Sequence, residues 1–177
     1  MFQKNQINYI KVLYGYLEFF MYLCIEFKNY YMKLAMFDFD NTLVKTPYED
    51  SSYLDTPESL DSDKWDFKFN NNTIQQYNHE STGNSIVTVL LTNRIDKVKP
   101  YVNSILESKK LTFDENLYIK GKTGNRSKGR RVEKLLEKYP QTTEIEYWED
   151  KDKHIKDVKE SCKKYPHIKL KVNKVIT

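Results

Sequence analysis

Residues 33–43 read KLAMFDFDNTL, and this stretch decides how the rest of the chain is interpreted. Its apolar run, residues 34–37, shows no polar alternation, which is typical of a strand covered on both faces of a parallel sheet. Asp38 and Asp40 follow, and the next residues are of types that favour turns. The two carboxylates are therefore predicted to emerge at the carboxyl end of a central strand, where open α/β sheets bind ligands.

The spacing of the two aspartates suits chemistry on a phosphate. Side chains at i and i+2 of an extended segment share one face about 6 to 7 Å apart, so Asp38 and Asp40 can address one ligand. A carboxylate can attack phosphorus if a cation screens its charge, and Mg²⁺ with oxygen ligands is the natural screen. An ordinary polar turn after a buried strand is the alternative, and the motif alone does not decide between them.

Composition indicates one globular domain of 177 residues, with 14% aromatic and 31% charged residues. The net charge is only +4, but basic residues crowd between residues 120 and 138. This stretch suits phosphate or a nucleic-acid backbone, and a solvated helix face explains it equally well. Cys24 and Cys162 lie far apart and lack zinc-site spacing, which favours a reducing compartment, and the cytoplasm is expected.

Residues 1–31 differ in composition from the rest of the chain. Residues 10–27 are aromatic and apolar, but Lys11, Glu18 and Glu26 interrupt them, so there is no firm membrane signal. Three interpretations stay open: an amphipathic helix on the domain or a membrane surface, a poor anchor, or an upstream extension that is not part of the functional protein. The third is favoured because Met32 directly precedes the first strand. Residues 32–177 would then form the functional domain.

The remaining pattern alternates strands with amphipathic helices. Strands are expected at 86–91, 117–119, 145–148 and 168–176, and helices at 96–109, 127–139 and 154–162. This alternation predicts right-handed crossovers and an α/β, Rossmann-like three-layer sandwich around a mainly parallel sheet. Residues 44–85 have little helical periodicity and many turn residues, so they are predicted to be a loop-rich insertion. Alternating Trp65, Phe67 and Phe69 favour a short strand or hairpin within it, and a small cap or none is expected.

Polar side chains follow three of the predicted strands. Asp38 and Asp40 end the first, Thr92 the second, and Glu149 with Asp150 the fourth. Because the carboxyl ends of parallel strands share one edge of a sheet, these groups are expected to meet there. A cation is still needed to neutralise the attacking carboxylate and the phosphate, and the segment after the third strand can supply a lysine.

These residues resemble the haloacid dehalogenase-like (HAD) superfamily. Its D-x-D-x-T motif stands here as DFDNT at residues 38–42, its strand-end Thr or Ser matches Thr92 in LLTNR, and its acidic motif matches Glu149 and Asp150 in YWEDKDKH. Among the branches, FDFDNTLVKTP, LLTNR and YWEDKDKH look most like the HAD domain associated with Swiss-army-knife RNA repair proteins, which is related in chemistry to polynucleotide phosphatases.

The resemblance implies a role for each motif residue. Asp38 would attack phosphorus and bind Mg²⁺. Asp40 would protonate the leaving oxygen, activate water and offer its main-chain carbonyl to the metal. Thr92 would hydrogen-bond the phosphoryl group, and Asp150, with Glu149, would complete the metal shell. Glu149 is longer than the usual second Asp, which leaves its direct ligation open.

The family lysine has three candidates here, Lys120, Lys122 and Lys128. Lys128 is preferred because it opens the helix after the third strand. Arg94 is expected to hold a substrate phosphate, with a surface salt bridge as the alternative. His154 is expected to support the metal site, to cap its helix or to be a partly buried histidine without a role in the site. The candidates for substrate binding are the polar neighbours of the first two motifs, Asn41, Thr42, Asn93 and Arg94.

The predicted function is Mg²⁺-dependent hydrolysis of a phosphomonoester through an aspartyl-phosphate, and the partner is a phosphorylated substrate. Ends of nucleic acids are the favoured substrate, because a short insertion leaves the site open to a large molecule. Two alternatives remain. One is a phosphatase for nucleotides or other small molecules, with residues 44–85 folding over the site. The other is a non-catalytic module that binds RNA or a protein through the basic stretch.

Overall fold

A computed structural model of the chain describes residues 31–46, 56–61, 66–121 and 124–176. The aromatic leader expected at the N-terminus lies outside these residues, except for Tyr31, and so do Trp65 and Lys122. Within the described ranges, no helix is both long and apolar enough to cross a membrane.

Strands and helices alternate along the chain, as the sequence predicts. In order, the elements are β1 (Met32–Phe37), β2 (Val44–Lys45), a 3₁₀ turn (Pro57–Leu60), β3 (Lys68–Phe69), α1 (Asn71–Glu80), β4 (Ile86–Ile95), a second 3₁₀ turn (Asp96–Val98), α2 (Lys99–Glu107), β5 (Glu115–Ile119), α3 (Lys128–Lys138), β6 (Thr142–Glu149), α4 (Asp152–Cys162) and β7 (Lys169–Lys174). Five strands form a parallel sheet in the order β5-β4-β1-β6-β7.

Strand β1 lies at the centre of the sheet and is buried on both faces. Leu34 and Met36 point into one core, and Ala35 and Phe37 point into the other. Helices α3 and α4 contribute to the first core, whereas α2 and Tyr77 of α1 contribute to the second. The predicted three-layer α/β sandwich is therefore confirmed, and the unbroken apolar run of β1 is explained by this double burial.

Helices α3 and α4 pack closely where α3 begins. A Cβ atom added to Gly129 would lie 2.4 Å from Ser161 Oγ and 2.6 Å from the main-chain oxygen of Asp157. Only glycine fits without a shift of one helix, because real Cβ contacts are not this short. This close contact fixes the first turn of α3 beside the carboxyl edge of the sheet.

The described part of residues 44–85 contains more regular structure than the expected loop-rich insertion. Val44 pairs with Phe69 in a small antiparallel ladder, as the aromatic alternation suggested. The prediction of a loop-rich segment without a helix is wrong for residues 71–80, because they form α1. Asn70 caps this helix by accepting a hydrogen bond from the Thr73 amide, so asparagines interpreted as a turn form a helix start. Periodicity missed α1 because few of its positions are buried.

Strand β4 is longer than the predicted 86–91 and reaches Ile95. Its pairing with β1 ends at Leu90, and its pairing with β5 shifts register between Leu91 and Ile95. Thr92, Asn93 and Arg94 occupy this irregular stretch. They therefore project at the sheet edge although they belong to the strand, and their side chains reach different partners.

Candidate active site

The turn after β1 holds both aspartates at the carboxyl edge of the sheet. The amide of Asp38 donates to the main-chain oxygen of Trp148 at 3.1 Å, which continues the β1–β6 pairing beyond the strand. Asn41 has a left-handed φ of 57°, a conformation that asparagine tolerates better than most residues. Its side-chain oxygen accepts hydrogen bonds from the amide and hydroxyl of Thr46. Asn41 therefore shapes the turn, and its predicted contact with substrate stays a prediction.

Lys128 lies inside the site and is completely buried. Its Nζ donates to Asp38 Oδ1 at 2.5 Å and to Glu149 Oε2 at 2.6 Å. Lys120, by contrast, is exposed, and Lys122 is outside the described residues. The geometry therefore favours Lys128 as the site lysine, although its catalytic role remains a prediction.

The start of α3 positions Lys128. Ser127 caps the helix by accepting from the amide of Arg130, and its hydroxyl donates to Asp157 of α4 at 2.9 Å. The amide of Gly129 donates to the same carboxylate at 3.0 Å. A carboxylate at a helix N-terminus also interacts favourably with the helix dipole. The α3–α4 contact thus directs Lys128 towards the carboxyl edge.

Glu149 is surrounded by hydrogen-bond donors. Its Oε2 accepts from Lys128 and from the Tyr147 hydroxyl, and its Oε1 accepts from the amide of Lys151 at 3.1 Å. His154 Nδ1 lies 3.3 Å from the same Oε1. Burial alone would raise the pKa of Glu149, but the His154 hydrogen bond and the Lys128 charge hold it below its usual range. Glu149 is thus a fixed anion that orients Lys128.

Asp150 has the features of a metal ligand. Asp38, Glu149 and Asp150 each place one carboxylate oxygen within 4.8 Å of the others. Oδ1 of Asp150 is buried and has no hydrogen-bond partner in the part of the chain that the structure describes. Burial, together with the contact to Glu149, raises the pKa of Asp150 to about 7. A buried carboxylate oxygen without a donor costs free energy, and a bound cation would remove that cost.

The site as a whole has excess negative charge. Four carboxylates, those of Asp38, Asp40, Glu149 and Asp150, lie near three cations, of which Lys128 and Arg94 form ion pairs with them and Arg131 lies beside them. Burial and the nearby Glu149 and Asp40 charges raise the pKa of Asp38 well above its usual range, despite Lys128. A divalent cation would balance this excess, and an all-oxygen donor set is the one that Mg²⁺ prefers. The residues present therefore fit a magnesium ion.

Arg94 is completely buried and contacts Asp40. Its Nη2 donates to Asp40 Oδ1 at 2.6 Å and its Nε to Oδ2 at 3.0 Å. Its Nη1 donates to Ser59 Oγ at 2.8 Å, which ties the first 3₁₀ turn to the site. The alternative of a surface salt bridge is wrong, because the irregular end of β4 turns Arg94 inward. Its contact with substrate phosphate stays a prediction, and in the structure it orients Asp40.

Thr92 and Thr42 are both fully buried at this edge. Thr92 Oγ1 accepts a hydrogen bond from the Arg94 amide at 3.1 Å, so its hydroxyl proton can still be donated to a ligand. Oγ1 of Thr42 has no partner among the residues that the structure describes. Both hydroxyls are therefore suited to bind a phosphoryl oxygen, which is the role predicted for Thr92.

Sequence reasoning missed Arg131, which joins three parts of the site. Its Nη1 donates to the main-chain oxygens of Thr92 at 2.5 Å and Leu117 at 2.9 Å, and its Nη2 donates to Asn93. The amide nitrogen of Asn93 lies 3.0 Å from His154 Nε2. Asn93 is therefore held within the protein, and its predicted contact with substrate stays a prediction. The only sequence signal for Arg131 was its position three residues after Lys128, on one helix face.

Burial lowers the pKa of Arg131 to about 10, so it stays cationic near neutral pH.

His154 completes the chain of contacts from β4 to Glu149. The ring can donate from Nδ1 to the Glu149 carboxylate and accept at Nε2 from the Asn93 amide. From the sequence, His154 is expected to support the metal site or to cap its helix. The structure gives it contacts that orient Glu149.

Two solved structures share this fold. The HAD domain of effector protein Lem4 from Legionella pneumophila matches with a TM-score of 0.59 and 13% identity, over 82% of this chain and 87% of that one. A chain of the Pnkp1/Rnl/Hen1 complex matches with a TM-score of 0.57 and 12% identity, over 82% of this chain and 45% of that one. The second match therefore spans less than half of that chain. Fold and motifs together define a HAD-like domain.

The match to a family model is more specific. Residues 30–177 match the model described as HAD domain family 1 in Swiss Army Knife RNA repair proteins, and the chain belongs to this family. The resemblance inferred from the three motifs is thereby confirmed. No curated protein matches the chain significantly.

Proposed function

We propose that this protein is a Mg²⁺-dependent phosphomonoester hydrolase that works through an aspartyl-phosphate on Asp38. The observation that carries the proposal is the position of Asp38. Its Oδ1 lies 2.5 Å from the buried ammonium of Lys128, and its carboxylate shares a cluster with the unpartnered oxygen of Asp150. A nucleophile, a cation and a carboxylate oxygen free to bind a metal are the parts that phosphoryl transfer through a carboxylate needs.

The side chains of Asp38 and Asp150 and the main-chain carbonyl of Asp40 would hold the Mg²⁺. When bound, the ion neutralises negative charge so that an anionic phosphate can approach a carboxylate. Glu149 already has four hydrogen-bonding neighbours, so its contribution would be to hold Lys128.

In the first half of the reaction, a carboxylate oxygen of Asp38 forms a bond to phosphorus while the ester P–O bond breaks. Asp40 gives a proton to the leaving oxygen as that bond breaks. In the second half, Asp40 takes a proton from water, and the resulting hydroxide attacks phosphorus. The P–O bond to Asp38 then breaks and inorganic phosphate leaves, so both carboxylates return to their starting forms.

The neighbouring residues support these two steps. Lys128 offsets the charge of Asp38 and of the phosphoryl oxygens, and Thr92 donates its hydroxyl proton to one of those oxygens. Arg94 contacts both oxygens of Asp40 and so sets the direction of that carboxylate relative to the leaving group.

Phosphorylated nucleic-acid ends are the substrate that we propose. The family description concerns RNA repair proteins, which is a statement about the family and supports this choice. The dense basic stretch between residues 120 and 138 adds support, because cations attract a polyanionic backbone.

The experiment is release of inorganic phosphate from end-phosphorylated oligonucleotides, free nucleotides and a small aryl phosphate, with and without Mg²⁺. Asp38→Asn should reduce release by on the order of 10³-fold or more, as expected for loss of a nucleophile. The matched control is Asp152→Asn, which makes the same change at an exposed carboxylate. Preference for free nucleotides would favour the small-molecule alternative. Absence of release from every substrate would favour a non-catalytic module and contradict the proposal.

A further inference from the structure

A cavity of about 290 Å³ lies between the edge strand β5 and helix α3, beside the candidate active site. Arg131 forms a wall common to both, because it lines the cavity and donates to the main-chain oxygen of Thr92. The cavity extends from the carboxyl edge of the sheet, where Lys120 lies, to the start of β5, where Lys138 contacts Glu115. It therefore begins at the edge that carries Asp38.

The lining of this cavity is strongly positive. Four cationic side chains and a single carboxylate line it, namely Lys120, Arg131, Lys134, Lys138 and Glu115. Lys138 pairs with Glu115, and the guanidinium of Arg131 donates to main-chain and side-chain oxygens. The ammonium groups of Lys120 and Lys134 are exposed and have no acid partner among the described residues. Two unpaired charges thus face the cavity.

The body of the cavity is apolar. Leu117 of β5 faces Leu135 of α3, and the methylene stems of the lysines extend the same surface. The ring of Tyr118 lies on the opposite face of the sheet, where its hydroxyl donates to Asn103 of α2. A ligand that fits both features has an apolar body and an anionic group beside it. A nucleotide has this combination, because its base is largely apolar and its backbone is anionic, and proteins that bind single strands hold that backbone in a cationic groove.

The cavity is also close enough to the reaction site to hold part of the same substrate. Lys128, Arg131 and Leu135 follow one another on one face of α3 at helical spacing. Lys134 lies six residues after Lys128, which is about 9 Å along the helix axis. A chain with its terminal phosphate at Asp38 therefore reaches this cavity with the adjoining nucleotide.

We propose that the cavity between β5 and α3 binds the nucleotide next to the terminal phosphate of a single-stranded nucleic acid, with Lys120 and Lys134 contacting its backbone. This inference rests on the proposed function for the position of the terminal phosphate. A solvated helix face, the other interpretation of the basic stretch, predicts no gain in affinity from the adjoining nucleotide.

The test is fluorescence anisotropy of the full chain with labelled single-stranded RNAs that carry one terminal phosphate and differ in length. Lys120→Gln and Lys134→Gln should each weaken binding of the longer RNAs several-fold and reduce the slope of log affinity against log salt by about 0.7. Lys159→Gln, the same charge change on the exposed face of α4, is the control and should have little effect. Equal effects of all three variants, or unchanged binding in all, would overturn the proposal.

Hydrolysis of a small aryl phosphate separates this inference from the proposed function. The Lys120 and Lys134 variants should hydrolyse it at the rate of the unmodified protein, because neither ammonium contacts the aspartates. If the unmodified protein releases phosphate from the aryl ester but shows no tighter binding to longer RNAs, the cavity proposal is wrong and the proposed function stands. If it binds RNA through both lysines but hydrolyses nothing, the proposed function is wrong and the cavity proposal stands.

Discussion

Replacing Lys128 with methionine tests how the site is held together. The ammonium of Lys128 is the cation that joins Asp38 to Glu149, at 2.5 and 2.6 Å, and the side chain is fully buried. Methionine has a similar length and shape without the charge. The Lys128→Met variant would therefore leave two buried carboxylates that repel each other and have lost their shared partner.

The expected cost can be derived from the geometry. Removal of one partner of a buried ion pair destabilises a protein by roughly 3 to 5 kcal/mol. For a domain of this size, about 2 to 4 °C of melting temperature is lost per kcal/mol, so the midpoint should fall by about 6 to 20 °C. Glu149→Gln should destabilise the unmodified protein, because it breaks the ion pair with Lys128. In the Lys128→Met background the same substitution should stabilise the protein, because it removes a buried negative charge that has lost its partner. The same substitution thus has opposite signs in the two backgrounds.

Urea unfolding of the four chains in a double-mutant cycle, without Mg²⁺ and near neutral pH, measures these differences. Lys134→Met, at an exposed position of the same helix, is the control and should change the free energy of unfolding by no more than about 0.5 kcal/mol. A cost below about 1 kcal/mol for Lys128→Met, or an equal effect of Glu149→Gln in both backgrounds, would refute the account of Lys128 as the buried link.

Three further predictions concern the scaffold. Gly129→Ala should destabilise by about 1 to 3 kcal/mol, although alanine normally favours a helix, because its Cβ would meet Ser161 Oγ at 2.4 Å; a higher urea midpoint would contradict the close packing. Burial raises the pKa of Cys162 to about 11. In a Cys24→Ser variant, alkylation of Cys162 at pH 8 should therefore be far slower in the folded state than in urea, and equal rates would contradict the burial of this thiol. Burial would raise the pKa of Glu146, but hydrogen bonds from two lysines and an asparagine lower it below its usual value. The ionised carboxylate therefore stabilises the fold above about pH 4.3, and this stabilisation is lost as the pH falls through the lowered pKa. Glu146→Gln should therefore flatten the acid limb of stability against pH, and an unchanged limb would argue against the ion pairs.

Local sequence signals predicted most of the scaffold. The unbroken apolar run of residues 34–37 predicted a central strand because burial on both faces leaves no polar positions. The amphipathic pattern of residues 127–139 predicts α3, and it favours Lys128 as the site lysine because Lys128 opens that helix. Both predictions rest on neighbours in sequence, which is where pattern reasoning is strongest.

Contacts between distant segments were beyond that reasoning. Arg94 is buried against Asp40 because β4 continues past its regular pairing, and no local pattern shows where the end of a strand turns. Helix α1 was missed because its start is rich in asparagine and few of its side chains are buried. Arg131 meets the oxygens of two strands that are far from it in sequence, so only the folded chain shows its role.

The most direct test of the central claim is to trap the phosphorylated protein. In an Asp40→Asn variant, the carboxylate that activates water is absent. When an aryl phosphate with a good leaving group is supplied with Mg²⁺, the phosphoryl group should therefore be transferred to Asp38 faster than the aspartyl-phosphate is hydrolysed, and the phosphorylated protein should accumulate. Mass spectrometry should then find one added phosphoryl group, and peptide mapping should locate it on Asp38. Absence of the modification while phosphate is still released, or its location on another residue, would contradict Asp38 as the nucleophile.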